Sequence, residues 1–444
     1  MTSFLDFSGL TLKEKVTLKY HFISSIFEGF AVGILGLNEF VFLKSLNASP
    51  YFLGVLFQAS IVVMLMSVVF NQFVKRFKDK KKLFFVSILL TRSPLFLAFF
   101  FNSGSKNDIL FHFIFLGMYF AYCFTTPLIM PILSMMIKQN YKNENFGRLY
   151  SNVAVSVKIT SLITVFVFGM ILDYDNFAFR YFYPLSALLS ILSAYYFIKI
   201  PYRCVTPHLK TSVIESVRSS LKDMATIIKK NKPFRDFEWG FMAYGLAFMI
   251  FTPVMTLYFE KALGLSYSSV SFYKNQATFL SMIFLPMMGR YFSKNDPRKF
   301  GIFTFAWLFL FLTALWSTKL IGSHFDFWNM QIYYTVFLAH CFLGLFYASM
   351  QLLWDIGSTY FCKNEEVGAY QSIHISLTGF RGIFAPLIGV SLYGLIGHYN
   401  TFIVSAALIL GAIYIMYYSM KRYPDHASSK KYNRKEKRSG KNID

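Results

Sequence analysis

Charge is scarce in this sequence, and most of it has one sign. Charged residues make up 15 % of the chain, with 22 Asp and Glu against 44 Lys and Arg, for a formal net charge of +22. Soluble domains carry about 25 % charged residues, so the ordinary soluble classes are excluded. Cysteine is sparse too. Its four copies, Cys123, Cys204, Cys341 and Cys362, show neither metal-ligand spacing nor a disulfide framework. The opening stretch Met1–Leu10 lacks a basic region followed by a small-residue cleavage site, so no cleaved signal peptide is expected. Near the acids Asp355, Glu365 and Glu366 there is no His-rich motif, serine elbow or phosphate-cradling glycine loop. That speaks against an enzyme, and neither a metal nor a cofactor is expected.

What is abundant is apolar sequence, at 55 % of residues. Polar stretches cut it into about twelve apolar segments, most of them long enough to cross ~30 Å of hydrocarbon as a helix. They run over 18–44, 50–74, 83–101, 109–137, 149–172 and 180–200, then 237–259, 268–292, 301–322, 331–353, 369–395 and 401–419. The second half repeats the first. Phe42, Lys44, Leu46 and Ser49 reappear at one constant spacing as Phe259, Lys261, Leu263 and Ser266, and the same spacing carries Asp79 onto Asp296 and Lys82 onto Lys299. Leu116-Gly117 is echoed by Leu343-Gly344, and Gly147 and Ser151 by Gly368 and Ser372. We therefore expect an all-α polytopic membrane protein, its ~12 transmembrane helices forming two pseudo-symmetric six-helix halves. The halves are 1–200 and 237–420, joined by a central loop, 201–236, and followed by a basic tail, 421–444. Parallel repeats of this kind place a binding site between the halves, near the bilayer midplane.

Most Lys and Arg fall in the N-terminus, the loops on one side, the central loop and the tail, while Lys44, Lys106, Arg180, Lys261 and Lys319 fall on the other side. The positive-inside rule puts both termini and the central loop in the cytoplasm. The net charge then reflects topology and attraction to anionic lipid headgroups, not nucleic acid. In the central loop Val213, Val217, Leu221, Met224 and Ile228 recur at helical spacing, fitting an interfacial helix or a solvated linker with a nascent helix. The tail, with Lys430-Lys431 and Lys437-Arg438, reads as disordered. A richness in Phe, Tyr, Lys and Asn suggests an AT-rich bacterial genome and hence the cytoplasmic (inner) membrane.

The loop between spans two and three carries Asn71, Lys75, Arg76, Asp79 and Lys82; its counterpart between spans eight and nine carries Gly289, Arg290, Asp296, Arg298 and Lys299. The two aspartates could latch neighbouring helix ends or be bland loop residues, and the cations could serve topology alone. With the duplicated halves and the long centre, these acidic-basic loops resemble the major facilitator superfamily. The likeness covers about residues 15–420. That family's loop runs from Gly to Asp-Arg and a basic run; Gly289, Asp296, Arg298 and Lys299 keep it at altered spacing, and Asn71 replaces the first Gly. The resemblance implies that spans 1, 4, 7 and 10 line a central cavity, that 2, 5, 8 and 11 join the halves, and that 3, 6, 9 and 12 brace the outside. A Gly-Pro motif typical of antiporters is missing from span 5, which disfavours proton/drug exchange.

Ionisable groups at membrane depth cost a few kcal/mol, so they face a cavity or a partner. Glu28 in span 1 is either a proton-responsive carboxylate or the fixed partner of Arg92 in span 3, whose own role reads as structural. Arg381 in span 11 lies in Gly379-Phe380-Arg381-Gly382 before Pro386. It could grip a carboxylate or phosphate with its fork, or lock onto a carbonyl or acid. Lys158 and Lys274 could add positive potential, with snorkelling as the alternative for Lys274. His340 and His374 are titratable groups or packing histidines. Tyr119, Tyr122 and Tyr244 are candidates for an aromatic cavity wall, and Pro127, Pro131 and Pro253 for kinks.

One embedded carboxylate against four embedded cations points to an anionic or zwitterionic small organic solute. The reading is a monomeric secondary carrier working by alternating access, with a proton as coupling ion. The alternatives are an exporter of lipophilic compounds, a non-transporting sensor or scaffold, and a polytopic membrane enzyme.

Overall fold

The computed structural model describes residues 9–66, 70, 74, 77–202, 224–328, 330–362 and 366–424. Asn71, Lys75, Arg76, Cys204, Glu365, most of the central loop and nearly all of the tail lie outside them. Among the described residues the regular structure is helical apart from one hairpin, β1 (His324–Phe327) and β2 (Met330–Tyr333). Among the described residues eight helical stretches are long and apolar enough to cross a membrane: Leu12–Ser45, Lys80–Phe100, Ile109–Asn140, Arg148–Tyr174, Lys232–Ala262, Pro297–Ser317, Tyr334–Ile356 and Ala369–Arg422. This is an integral, multi-pass membrane protein.

Contacts divide the described residues into two compact units. The first holds the chain up to residue 202 together with Met255–Asn275 and Phe327–Gln331; the second holds the rest. In the first, α1 (Leu12–Leu35) opens with a capping box, Thr11 with Glu14. Glu14 is fully buried, and its other oxygen accepts from the Lys142 N–H at 3.1 Å and Asn145 Nδ2 at 3.0 Å. There follow α2 (Pro50–Leu65), α3 (Lys80–Arg92), α4 (Ile109–Cys123), α5 (Thr125–Asn140), α6 (Asn143–Tyr174) and α7 (Phe179–Phe197). Span 4 breaks at Phe124 because Pro127 has no N–H to give the Cys123 carbonyl, while Pro131 stays inside α5. Ile132, Met136, Leu149, Val153 and Phe197 are among the residues of one core.

The second unit contains α8 (Lys232–Leu257) up to Val254, the greater part of α9 (Tyr267–Phe292), α10 (Pro297–Ser317), α11 (Tyr334–Ile356), α12 (Val367–Gly382) and α13 (Ala385–Arg422). Helix α10 packs along α11 and α13. Gly397, at φ 75°, interrupts α13 between the two last apolar segments, a conformation that only glycine adopts cheaply.

The sequence repeat recurs as backbone geometry. The first and seventh spans both end in a π-turn, Val41–Ser45 and Tyr258–Ala262. In one, the Leu46 and Ala48 N–H groups donate to the Val41 and Phe42 carbonyls; in the other, those of Leu263 and Leu265 donate to Tyr258 and Phe259. A left-handed residue follows each, Asn47 at φ 56° and Gly264 at φ 62°, and both types tolerate that region. Ser49 then accepts from the Phe52 N–H, as Ser266 does from that of Ser269.

Asp79 and Asp296 are equivalent in the same way: they are the N-caps of α3 and α10, accepting from the Lys82 N–H at 3.0 Å and the Arg298 N–H at 2.8 Å. Lys82 and Lys299 are exposed. Asp296 has a second task. It pairs at 2.8 Å with the buried guanidinium of Arg298, which also donates to the carbonyls of Ser419 and Tyr423 and so closes the C-terminal end of α13. Loss of a cap alone costs ~1 kcal/mol, whereas stranding a buried cation costs about 3–5 kcal/mol. Asp296→Ala should therefore lower unfolding stability in detergent several times more than Asp79→Ala, as read by chemical denaturation of the two variants.

Candidate substrate and proton sites

Arg92, at the end of α3, is 3 % exposed. Its Nη1 donates to Thr125 Oγ1 at 2.7 Å and to the Tyr122 carbonyl at 3.2 Å, and its Cζ lies 3.9 Å from the centre of the Tyr122 ring. Tyr119 stacks on that ring. The other fork, Nη2, is 3.4 Å from Glu28 Oε1. The pair is lopsided, because the Glu28 side chain is 29 % exposed while the arginine is sealed. Arg92 thus has partners of its own, and Glu28 touches it from the more exposed side. A carboxylate held by one long contact can exchange a proton without dismantling the helix packing.

Depth is set beside this pair by a tight crossing. A Cβ on Gly29 would lie 1.8 Å from Thr160 Oγ1 and 2.9 Å from the Val157 carbonyl, so α1 and α6 meet backbone to side chain. Glu28 and Lys158 each flank that crossing. Lys158 is half-buried, and it has no carboxylate or hydrogen-bond partner among the described residues. Lys274 differs. Its ammonium meets the carboxylate of Glu39 and donates to the Gly36 carbonyl at 2.7 Å.

Around Lys274 the first unit is densely tied. The Asp173 carboxylate accepts from the N–H groups of Tyr267 (2.7 Å) and Ser268 (2.9 Å), at the start of α9. Ser45 Oγ lies 2.6 Å from Tyr267 Oη, and Lys44 Nζ donates to the Leu265 carbonyl at 3.0 Å.

In the second unit Arg381 is 2 % exposed. It donates to the Phe241 carbonyl and lies 5.6 Å from the ring centre of Tyr244, itself buried against Phe305. Gly245 makes room for it: a Cβ there would sit 1.8 Å from Cζ. One turn from Phe241, Glu238 is 3 % exposed and holds His374 Nδ1 at 3.1 Å from both carboxylate oxygens. His340 is buried as well, donating from Nδ1 to the Val336 carbonyl of its own helix.

The structure brings Glu28, Arg92, Tyr119 and Tyr122 into one cluster, and Arg381, His374 and Tyr244 into another. Sequence reading missed three acids, Glu39, Glu238 and Asp173. Glu39 gives the same signal as Glu28, a carboxylate inside an apolar segment; Glu238 stands at the rim of span 7 in the sequence. The balance of one carboxylate against four cations is thereby corrected, since Lys274 has Glu39 and Arg92 has Glu28. Lys158 and Arg381 remain without a carboxylate at ion-pair distance among the described residues.

These geometries set the relative cost of mutation. Glu28→Gln should change stability by less than ~1 kcal/mol, as for half-exposed pairs. Arg92→Ala, which strands Thr125 and the Tyr122 carbonyl in a dry setting, should cost ~3 kcal/mol. Thermal unfolding of the purified variants tests the ranking.

Comparison with known proteins places the fold. No curated protein sequence matches the chain. Among solved structures it is similar to a single-site mutant of the nucleoside transporter NupG, at 12 % identity, with 91 % of this chain and 99 % of that one covered and a TM-score of 0.70. A POT family transporter in complex with a thioalcohol-conjugated peptide gives 12 % identity, 93 % and 96 % coverage and a TM-score of 0.67. A bacterial homologue of the human lysosomal transporter Spinster, inward-facing and unoccupied, gives 10 %, 95 %, 100 % and 0.64. The family model of the Major Facilitator Superfamily matches residues 21–355, three quarters of the sequence, and the chain belongs to that superfamily.

Proposed function

We propose that this secondary transporter carries a small anionic or zwitterionic organic solute in symport with protons. Twelve spans in two six-helix halves, 1–200 and 237–420, would rock about a central site, with both termini, the central loop and the tail on the cytoplasmic side of a bacterial inner membrane. The observation that carries the substrate class is Lys158: a half-buried ammonium beside the α1–α6 crossing, lacking a carboxylate partner among the described residues. An unbalanced cation at membrane depth is costly, and an anionic group on the solute relieves that cost.

Glu28 is the coupling carboxylate of this reading. It is partly exposed and loosely paired, so protonating it changes cavity charge while Arg92 keeps its other partners. The ties of Asp173, Glu39, Lys274 and Tyr267 would form the closure on the non-cytoplasmic side, and alternating access requires them to separate. A lipophilic exporter would draw on Tyr119 and Tyr122, but the Arg92 cation beside them and the unbalanced Lys158 favour the anionic solute.

The test is transport in liposomes. Glu28→Gln should abolish accumulation driven by a pH gradient while keeping counterflow of the same solute, which needs no net proton movement. Lys158→Gln should weaken apparent solute affinity by about tenfold, the size of one charge interaction at ~10 Å in a medium of ε ~20. Full pH-driven accumulation by Glu28→Gln would remove it from coupling. Unchanged affinity in Lys158→Gln would remove the anionic assignment.

A further inference from the structure

The α8–α12 seam holds a buried acid–imidazole pair that the reading above does not use. Glu238 and His374 are both almost fully buried, and the imidazole is boxed by aromatic rings: Phe241 edge-on at 4.6 Å and Trp354 at 4.5 Å. Its Nε2 has no hydrogen-bond partner among the described residues. Seven residues along α12, Arg381 Nε is buried and unpartnered too, and its one acceptor is the Phe241 carbonyl. A guanidinium has five donors. This one uses a small part of them, although it is shut away from solvent.

The surroundings leave few other charges. On α8, Arg235 and Asp236 pair with each other at 3.1 Å, and Tyr244 faces the guanidinium. On α12, Tyr370 meets Asn231 at 2.9 Å. On α11, Asp355 beside Trp354 is exposed. From α10 the contact is Phe305, and from α13 it is Met416 against Gly240. Glu238 is therefore the counter-charge of Arg381 within the seam, about two helical turns away, or roughly 10 Å.

Resting on the proton-coupled anion reading, we infer that Glu238, His374 and Arg381 form one linked unit, in which a proton taken up by His374 neutralises Glu238 and frees Arg381 to bind the carboxylate or phosphate of the solute. With His374 neutral, the glutamate and arginine charges cancel and the seam is balanced as it stands. A proton on His374 leaves the cluster with one net positive charge, which an anion at Arg381 cancels. Linkage makes this reciprocal: proton and anion favour each other's binding by the same factor. At ~10 Å and an effective dielectric of ~20 the factor is about tenfold. The chain thus carries a proton station in its second half, separate from Glu28.

Trp354 supplies a readout that needs no solute, because a protonated imidazole in ring contact quenches indole emission. In the full-length protein in nanodiscs, emission should fall with acidification between pH ~8.5 and ~5, the range in which a histidine titrates. That step should vanish in both Trp354→Phe and His374→Gln. Arg381→Gln, which removes the cation much as a bound anion would neutralise it, should move the step toward alkali by about one pH unit, whereas Arg381→Lys and Glu28→Gln should leave it in place. Sodium benzoate and inorganic phosphate serve as anion probes in equilibrium binding. On the alkaline side of the step, Glu238→Gln should raise their affinity about tenfold, whereas His374→Gln should hold it at the low value, with benzoate affinity no longer dependent on pH in His374→Gln.

Absence of a Trp354-linked step, a step that Arg381→Gln does not move, or affinity changes of the same sign in Glu238→Gln and His374→Gln would each overturn the linkage. If His374→Gln fails to fold, the Trp354→Phe difference carries the test. Failure of liposome transport with the step intact would count against the transport reading and leave the linked unit standing.

Discussion

A charge placed among apolar helices must find an opposite charge, a carbonyl or water, and this requirement organises the described structure more than any other. Arg298 is fully buried and resolves it completely, with Nε and Nη2 on Asp296, Nη2 also on the Tyr423 carbonyl, and Nη1 on the Ser419 carbonyl. Glu14 does so with the N–H groups and side chains that begin α1 and α6. These groups are structural because they are finished: every lone pair or donor in use is matched, and nothing is gained by moving them. Arg92 is nearly finished, lacking a tighter hold on Glu28 and a partner for its buried Nε. Arg381, His374 and Lys158 are not finished, and function is sought among them for that reason.

Duplication shows how far such solutions are inherited and where they part. The π-turn, the left-handed residue, the serine cap and the aspartate cap recur in both halves at one spacing. At the same spacing the buried Glu14 corresponds to Asn231, and both side chains tie the start of their helix to a distant loop. One half uses a charge where the other uses an amide. Backbone devices are shared because they depend on geometry that many side chains support. Charged devices diverge, because each must be balanced by its own neighbours.

This division explains what can be read without the structure. The spans, the repeat and the embedded cations are legible because hydrophobic run length and charge are local properties of sequence. The caps at Asp79 and Asp296 are visible as a matched pair, yet their work is not, since a cap and a latch use the same residue type. Pairing is the illegible part. Lys274 reads as a lone cation until the helical turn Asn38–Phe40 brings Glu39 to it, and Glu238 reads as a rim residue until α12 lays His374 against it. Both partners lie far away in sequence, and only packing decides that they meet. The twelve-segment count stands apart from the eight stretches of spanning length and composition: Pro50–Leu65 is short, Ala369–Arg422 runs through the last two apolar segments, and Phe179–Phe197 and Tyr267–Phe292 are long enough but not among the eight.

The two tight crossings make the functional asymmetry concrete. Gly29 admits Thr160 between α1 and α6, and at nearly equivalent places Gly245 admits Arg381 between α8 and α12. A hydroxyl at such a crossing bonds back to its own helix, as Thr160 does to Ser156 at 2.8 Å, and asks nothing of its surroundings. A guanidinium in the corresponding place asks for several acceptors and a counter-charge. If helix packing were the only demand, a threonine-like residue would meet it in the second half as it does in the first. The second half instead carries a cation with a glycine cut to fit it, and a buried acid and imidazole on the same seam. Those features cost stability one by one, and what they share is a charged or titratable group held away from solvent.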